Sequence, residues 1–245
     1  MSLLEATVTA NLPHAIFLDL DDTIIDDSSS IDGGWRQAIA ELATGVDPDA
    51  LLRSVCGVRD WYWSEPSRHQ VGRMDLRAIS TWIVEKALAD ALGREHHAAP
   101  EMALRIAYRY RDIREASQAL LPGAVDSIER LRDQGIRLAL LTNGSKDTQR
   151  AKIVRFDLAR HFDYICVEGE FGCGKPDERV YRSALEALSA QPATTWMTGD
   201  NLEWDVAAPM RLGITGIWLD RHKTGLPDAS PVQPHRIILS LSELL

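Results

Sequence analysis

The stretch that decides the reading is AIFLDLDDT, running from Ala15 to Thr23. Ala15 to Leu20 is a short apolar run, broken only by Asp19, of the kind that forms a strand buried on both faces. Directly after it come Asp21, Asp22 and Thr23, so three carboxylates gather where a buried strand reaches its carboxyl end. In open sheets of alternating strands and helices, ligands bind beyond those ends. The position of this acidic cluster is therefore as informative as its composition.

Working outward, an acidic, Ser-rich turn covers Asp21 to Gly34, and the chain then changes character. Ser28 to Gln118 shows helical periods and almost no strand signal. Trp35, Ile39 and Leu42 fit one helical face. Asp47-Pro48 reads as a cap followed by proline at the first helical position. Ile79, Trp82, Ile83, Leu88 and Leu92 mark another helix, ending near Gly93, and Pro100 opens a further one towards Ser117. From Leu120 onward helix and strand alternate. The helices are Ala124–Gln134, Asp147–Arg155, Glu178–Ala190 and a short one at Val206–Leu212. The strands are Ile136–Leu141, Tyr164–Val167, Thr195–Met197 and Gly216–Leu219. Alternation of this kind predicts an α/β fold, a Rossmann-like doubly wound parallel sheet. The expected division is a core of residues 1–27 and 119–245 carrying an inserted helical-bundle cap, residues 28–118.

Bulk properties narrow the class. The chain has 245 residues, 27 Lys and Arg against 36 Asp and Glu, and a net charge of −9. Before Arg36 there is no Lys or Arg at all, while Glu5, Asp19, Asp21, Asp22, Asp26, Asp27 and Asp32 fall there. An acidic chain without a basic block argues against nucleic-acid partners, whose phosphates demand Lys and Arg. No apolar run approaches the length of a membrane helix, and the N-terminus resembles neither a secretory signal nor a transit peptide. Cys56, Cys166 and Cys173 lack metal-ligand spacing and suit free thiols, so a cytoplasmic location is expected. His96-His97 reads as a solvated pair near a helix end.

Four strand ends carry unusual residues: Asp19, Asp21, Asp22 and Thr23; Thr142-Asn143-Gly144; Lys175-Pro176; and Gly199-Asp200 with Asp205 beyond. Each alone is ordinary turn chemistry. In order, each beyond a predicted strand, they form a pattern. It resembles the haloacid dehalogenase superfamily, specifically its capped phosphatases: IFLDLDDT is similar to motif I, LALLTNG to motif II, Lys175 in GKPD to motif III and GDNLEWD to motif IV. The similarity extends through LPGAVDSIERLRDQG and AAPMRLGITGIWLDR and covers the core, whereas the insert matches in length and helical character. Asp22 stands where Gly is frequent, and Asn201 where Asp, Ser or Thr is frequent.

The resemblance implies a Mg²⁺-dependent phosphatase acting on small phosphomonoesters through an aspartyl-phosphate. Asp19 holds the nucleophile position and Asp21 the acid/base position. Haloacid dehalogenases of the same family lack that second Asp, because a departing halide needs no proton. The implied metal ligands are Asp19, the Asp21 main-chain carbonyl and Asp200, with Asp205 holding a metal-bound water or Lys175. A hard divalent cation suits such an all-oxygen set. Thr142, the Asn143 and Gly144 N–H groups and Lys175 stand where phosphoryl oxygens need donors.

In the insert, the Trp61-Tyr62-Trp63 cluster suits either core packing or stacking on a substrate base or sugar. Arg68, His69, Gln70 and Arg73 read as a polar loop in which Arg68, His69 and Trp63 are candidate substrate contacts. Asp26 to Gly34 and Ala116 to Gly123 are the expected hinges of a closing cap. The TNG and GDNLEWD spellings look most like phosphatases of nucleotides and acylated sugar phosphates. The expected partner is a small phosphorylated metabolite, bound by a monomer or homodimer. The competing readings are a phosphoglycolate phosphatase, a phosphosugar mutase, a dehalogenase, and a silent phosphate-binding scaffold.

Overall fold

A computed structural model of the chain describes residues 12–92 and 99–245. The lead-in before Leu12, Gly93 and the His96-His97 pair lie outside the described residues. Strand β1 (Ala15–Leu18) is buried at every position, and its side chains alternate between two cores. Ile16 and Leu18 enter one, with Ile128 and Leu131. Ala15 and Phe17 enter the other, with Tyr181 and Ala184. Burial on both faces is what an uninterrupted apolar run dictates in a parallel sheet.

The next strand pair lies outside that sheet. Strand β2 (Ile25–Asp26) follows at once, then five helices: α1 (Ile31–Leu42), α2 (Pro48–Trp63), α3 (Pro66–Gly72), α4 (Leu76–Leu92) and α5 (Ala99–Ser117). Strand β3 (Ala119–Leu120) then returns antiparallel to β2, pairing Ile25 with Leu120 and Asp26 with Ala119. Both connections to the helical insert are thus laced into one short ribbon. These are the segments expected as hinges, and strands of two residues leave no signal in the sequence.

Back in the core, α6 (Ala124–Asp133), β4 (Arg137–Thr142), α7 (Lys146–Arg155), β5 (Tyr164–Val167), α8 (Glu168–Phe171), α9 (Glu178–Ala187), β6 (Thr195–Gly199), α10 (Ala208–Arg211), β7 (Thr215–Leu219) and β8 (Arg236–Ile238) complete the chain. The six-stranded sheet has the order β5-β4-β1-β6-β7-β8, and all its pairings are parallel. The chain moves outward from β1 through β4 to β5, then restarts at β6 on the other side. That reversal opens a crevice at the carboxyl ends of β1, β4 and β6. Edge strand β8 was absent from the sequence reading because its two apolar residues offer no period.

The insert has its own core, in which Trp35, Ile39, Leu51, Ile83, Leu88 and Ile106 are buried. Asp47 caps α2 as expected, accepting the Asp49 N–H at 3.0 Å. Trp82 does not join this core: it is 37% exposed and stacks towards Trp61, ring centroids 6.1 Å apart. The centre of the insert is instead the Trp35–Tyr110 stack, with centroids 3.5 Å apart and planes within 9°. Removing a buried aromatic loses its transfer energy and leaves a cavity. Trp35→Ala is expected to destabilise the protein by about 3–5 kcal/mol, measured as a lowered urea midpoint.

Candidate active site

The crevice holds a cavity of about 330 Å³, reached by Asp19, Asp21, Thr142, Asn143, Asp200 and Asp205 from the core and by Trp63, His69 and Arg73 from the insert. Asp19 continues β1, its N–H donating to the Thr198 carbonyl at 3.0 Å. Lys175 Nζ sits between two carboxylates, 2.6 Å from Asp19 Oδ1 and 2.6 Å from Asp205 Oδ1, with its side chain only 1% exposed. Thr23 Oγ1 donates to the other Asp19 oxygen at 3.1 Å. Asn143 fixes the lysine backbone reciprocally: its Nδ2 donates to Lys175 O at 2.7 Å, and Lys175 N donates to its Oδ1 at 2.8 Å.

Burial pushes Asp19 up to about 6 despite the Lys175 charge, with Asp205 adding to the rise. Lys175 is raised in turn, because Asp19 and Asp205 outweigh its own burial. Burial, then the Asp19 and Asp205 charges, lifts Asp200 well above the usual carboxylate range. One oxygen each from Asp19, Asp200 and Asp205 lies within 4.8 Å of the others. Three carboxylates against one ammonium, all hard oxygen donors, form a set that fits a divalent cation. Asp205 has both oxygens committed, one to Lys175 and the other accepting the Asn201 N–H at 3.1 Å. Asn201 Oδ1 also accepts the N–H groups of Glu203 and Trp204, at 3.1 and 2.9 Å. It thereby caps the π-helical turn Leu202–Ala207 that carries Asp205. Helical structure here starts earlier than the sequence pattern implied, because the cap, Asn201, lies five residues before the apolar run. Gly199 is required by close approach, since a Cβ there would overlap the Asp205 carboxylate.

Asp21 faces the same cavity but belongs to a second charge network. Lys152 Nζ lies 2.6 Å from its Oδ1, and Gln149 Nε2 donates to its Oδ2 at 2.9 Å and to Thr142 Oγ1 at 2.5 Å. Burial raises Asp21 to about 6, with Lys152 opposing and Asp27 and Asp19 assisting. Asp27 goes the other way: Lys152, Arg114 and Gln118 overcome its burial and hold it at about 2. Asp22 adopts φ 58°, the left-handed region that Gly favours and Asp tolerates. Its Oδ1 accepts the Ser28 N–H at 3.0 Å and pairs with Arg221 at 2.6 Å, so the departure from Gly gains a turn-fixing carboxylate.

The structure departs from the sequence expectations at three points. Residues 66–72 form helix α3 rather than a polar loop, started by Pro66. Arg68 does not face the cavity. Its Nε donates to Tyr62 O at 2.8 Å and its Nη2 to Trp61 O at 2.5 Å, so its charge satisfies the last carbonyls of α2. Gly144 is the third correction: its N–H already donates to Glu168 Oε2 at 2.8 Å. Glu168, 4% exposed, also receives Arg73 Nε at 2.6 Å and Nη2 at 2.5 Å. His69 and Trp63 do reach the cavity, His69 Nε2 lying 2.5 Å from Trp63 O with its ring edge-on to Trp204. Sequence reading missed Gln149, Lys152 and Glu168 as site residues. The first two share a face of α7 at i and i+3, a signal that existed but had no partner until the fold supplied Asp21.

Residues 13–213 match the family model for haloacid dehalogenase-like hydrolases. The phosphoserine phosphatase of Thermus thermophilus is 34% identical over 88% of this chain and 92% of its own length. The N-acylneuraminate-9-phosphatase of Rattus norvegicus is 28% identical over 94% and 92%. Among solved structures, Bacillus subtilis YfnB, bound to magnesium, superposes with a TM-score of 0.71 at 22% identity, covering 95% of this chain and 97% of that one. A 2-haloacid dehalogenase from Pseudomonas syringae gives 0.62 at 22% identity, covering 95% and 96%.

Two consequences follow for stability. Carboxyls raised from 3.8 to about 6 in the folded state contribute stability that is complete below the unfolded value and is lost as pH rises through about 6. Asp27, held at about 2, contributes in the opposite sense and only towards strong acid. In chelator, the melting temperature is therefore expected to fall between about pH 4 and about pH 6. Asp19→Asn with Asp21→Asn should flatten that slope. Separately, Arg73→Ala leaves Glu168 buried and unpaired and is expected to cost about 3 kcal/mol, read from chemical denaturation.

Proposed function

This chain belongs to the haloacid dehalogenase-like hydrolases and is a phosphatase of that family; we propose that it hydrolyses small phosphomonoesters with Asp19 as nucleophile and Asp21 as acid and base. The observation that carries the reading is the second carboxylate, Asp21, in the same cavity as Asp19. A halide leaves without a proton, whereas an alkoxide needs one. A binding scaffold would need neither group.

In this reading the side chains of Asp19 and Asp200 and the Asp21 main-chain carbonyl hold Mg²⁺, with Asp205 behind them securing Lys175. The ion supplies charge neutralisation and polarises the phosphoryl group. Lys175 and the Thr142 hydroxyl orient the phosphoryl oxygens and offset their developing charge. An Asp19 oxygen bonds to phosphorus as the bond to the leaving oxygen breaks, and the Asp21 proton passes to that oxygen. A water then attacks the aspartyl-phosphate, giving its proton to Asp21, and Asp19 returns to a free carboxylate as phosphate departs. A carboxyl held near 6 can serve both steps close to neutral pH.

The helical insert acts as the cap. Beside the catalytic cavity lies a second one of about 560 Å³, which shares Asp27, Trp63 and Leu76 with it. It is large enough for a metabolite-sized leaving group, and Trp63 stands at the junction as a flat face for it.

Phosphate release from p-nitrophenyl phosphate tests the reading. Turnover is expected with Mg²⁺ and none in chelator. Asp19→Asn should reduce it to background and Asp21→Asn by about 10²–10⁴-fold, the loss falling on activation of the attacking water because p-nitrophenolate leaves without a proton; wild-type rates in Asp19→Asn would overturn the nucleophile assignment. Because ligand carboxylates must shed protons to bind a cation, Mg²⁺ is expected to raise the melting temperature more at about pH 7.5 than at about pH 5. A panel of phosphorylated metabolites, scored for free phosphate against isomerised product, distinguishes hydrolase from mutase.

A further inference from the structure

Lys152 belongs to none of the four motif stretches, yet its ammonium is buried between two carboxylates. Its side chain is 6% exposed. The ammonium lies 2.6 Å from Asp21 Oδ1 and 3.2 Å from Asp27 Oδ1. Asp27 follows β2 directly, and its remaining bonds go to the far end of the insert: Arg114 Nη2 at 2.6 Å from its Oδ2, and Gln118 Nε2 at 2.6 Å from its Oδ1. Arg114 also donates to the Asp27 carbonyl and, through Nη1, to Tyr110 Oη at 2.8 Å. One buried ammonium therefore joins a carboxylate of the catalytic cavity to the ribbon from which the insert hangs.

We infer that Lys152 is the positioning residue for Asp21, setting the direction of its carboxyl and tying it to the insert through Asp27. The inference rests on the phosphatase reading above. A carboxyl three residues beyond a strand end is free to rotate about its side-chain bonds. Here each oxygen has its own donor, Lys152 on one and Gln149 on the other, and both donors come from one face of a single helix. An apolar side chain would fill the Lys152 site without the cost of burying a charge. What only the ammonium provides is a fixed anchor for two carboxylates at once. The guanidinium of Arg114 remains on Asp27 when Lys152 is removed, so the loss falls mainly on Asp21.

Leaving-group chemistry isolates this role. In the first step the bond from phosphorus to the leaving oxygen breaks and Asp21 delivers its proton to that oxygen. p-Nitrophenolate departs readily without the proton, whereas phenolate, a much stronger base, depends on it. The measurement is kcat/KM of the Mg²⁺-loaded full chain for phenyl phosphate and p-nitrophenyl phosphate, and the quantity read is their ratio. A ratio taken on one preparation is unaffected by how much of the protein is folded. For Lys152→Met the ratio of phenyl to p-nitrophenyl phosphate is expected to fall about ten-fold or more below wild type. Lys152→Arg should recover part of it. An unchanged ratio, however large the common loss of rate, overturns the inference. If Lys152→Met gives no folded protein, Lys152→Gln, which keeps a donor without the charge, carries the same comparison with the same two outcomes. Failure of the wild-type protein to turn over either ester would overturn the phosphatase reading itself, an outcome distinct from an unchanged ratio.

Discussion

Lys175 holds the site together because its ammonium pairs with two buried carboxylates, Asp19 and Asp205. A buried ammonium is costly, and so are buried carboxylates. Neither Asp19 nor Asp205 could be kept at this depth in charged form without the other partner. The lysine meets that constraint with two bonds of 2.6 Å, and the surrounding structure serves to deliver its partners. β1 brings Asp19, the capped turn after β6 brings Asp205, and Asn143 at the end of β4 grips the lysine backbone from both sides. Three loops from three strands are locked to one another by a single side chain. Asp200, the third carboxylate of the cluster, completes an oxygen set receptive to a hard cation.

A second charge network repeats this logic around Lys152 and does something different with it. Lys175 ties core loops to core loops, whereas Lys152 ties the core to the ribbon carrying the insert. A third link, Arg73 to Glu168, joins the end of α3 to the loop that follows β5, and Glu168 in turn receives the Gly144 N–H. Buried charge pairs thus attach the insert to the catalytic face. Such pairs are weak sources of net stability but strong sources of geometry. That suits a layer whose position sets the shape of the cavity.

The fold was largely legible because burial on both faces of a parallel sheet leaves a distinctive trace. The apolar runs at β1, β4, β6 and β7 were each found within a residue or two, since a central strand has no solvent-facing position to dilute the signal, and β5 at one edge was found by its own apolar run. The strands that escaped are those without that constraint: β2 and β3, two residues each, and β8 at the sheet edge. In the insert, Trp35 and Ile39 were identified by period, but Trp82 fell on the same period and lies at the surface beside Trp61. Periodicity marks a helical face without saying which neighbour arrives to cover it.

The sequence by itself determined which chemistry was available. Asp19, Asp21, Lys175, Asp200 and Asp205 were legible as candidates because strand ends converge in this sheet class, so residues at those ends must meet. Tertiary structure alone decided which donors and charges are already spent. Arg68 and Arg73 are five residues apart with the same side chain, yet one satisfies carbonyls of its own neighbourhood while the other crosses to Glu168. Gly144 lies in a phosphate-loop spelling, but its N–H is taken by a carboxylate from the next loop. Lys152 carried no local mark beyond its spacing from Gln149. The physical reason is common to these cases: a charge or a hydrogen-bonding group acquires its role from the group it faces, and those partners lie from 6 to 131 residues away along the chain.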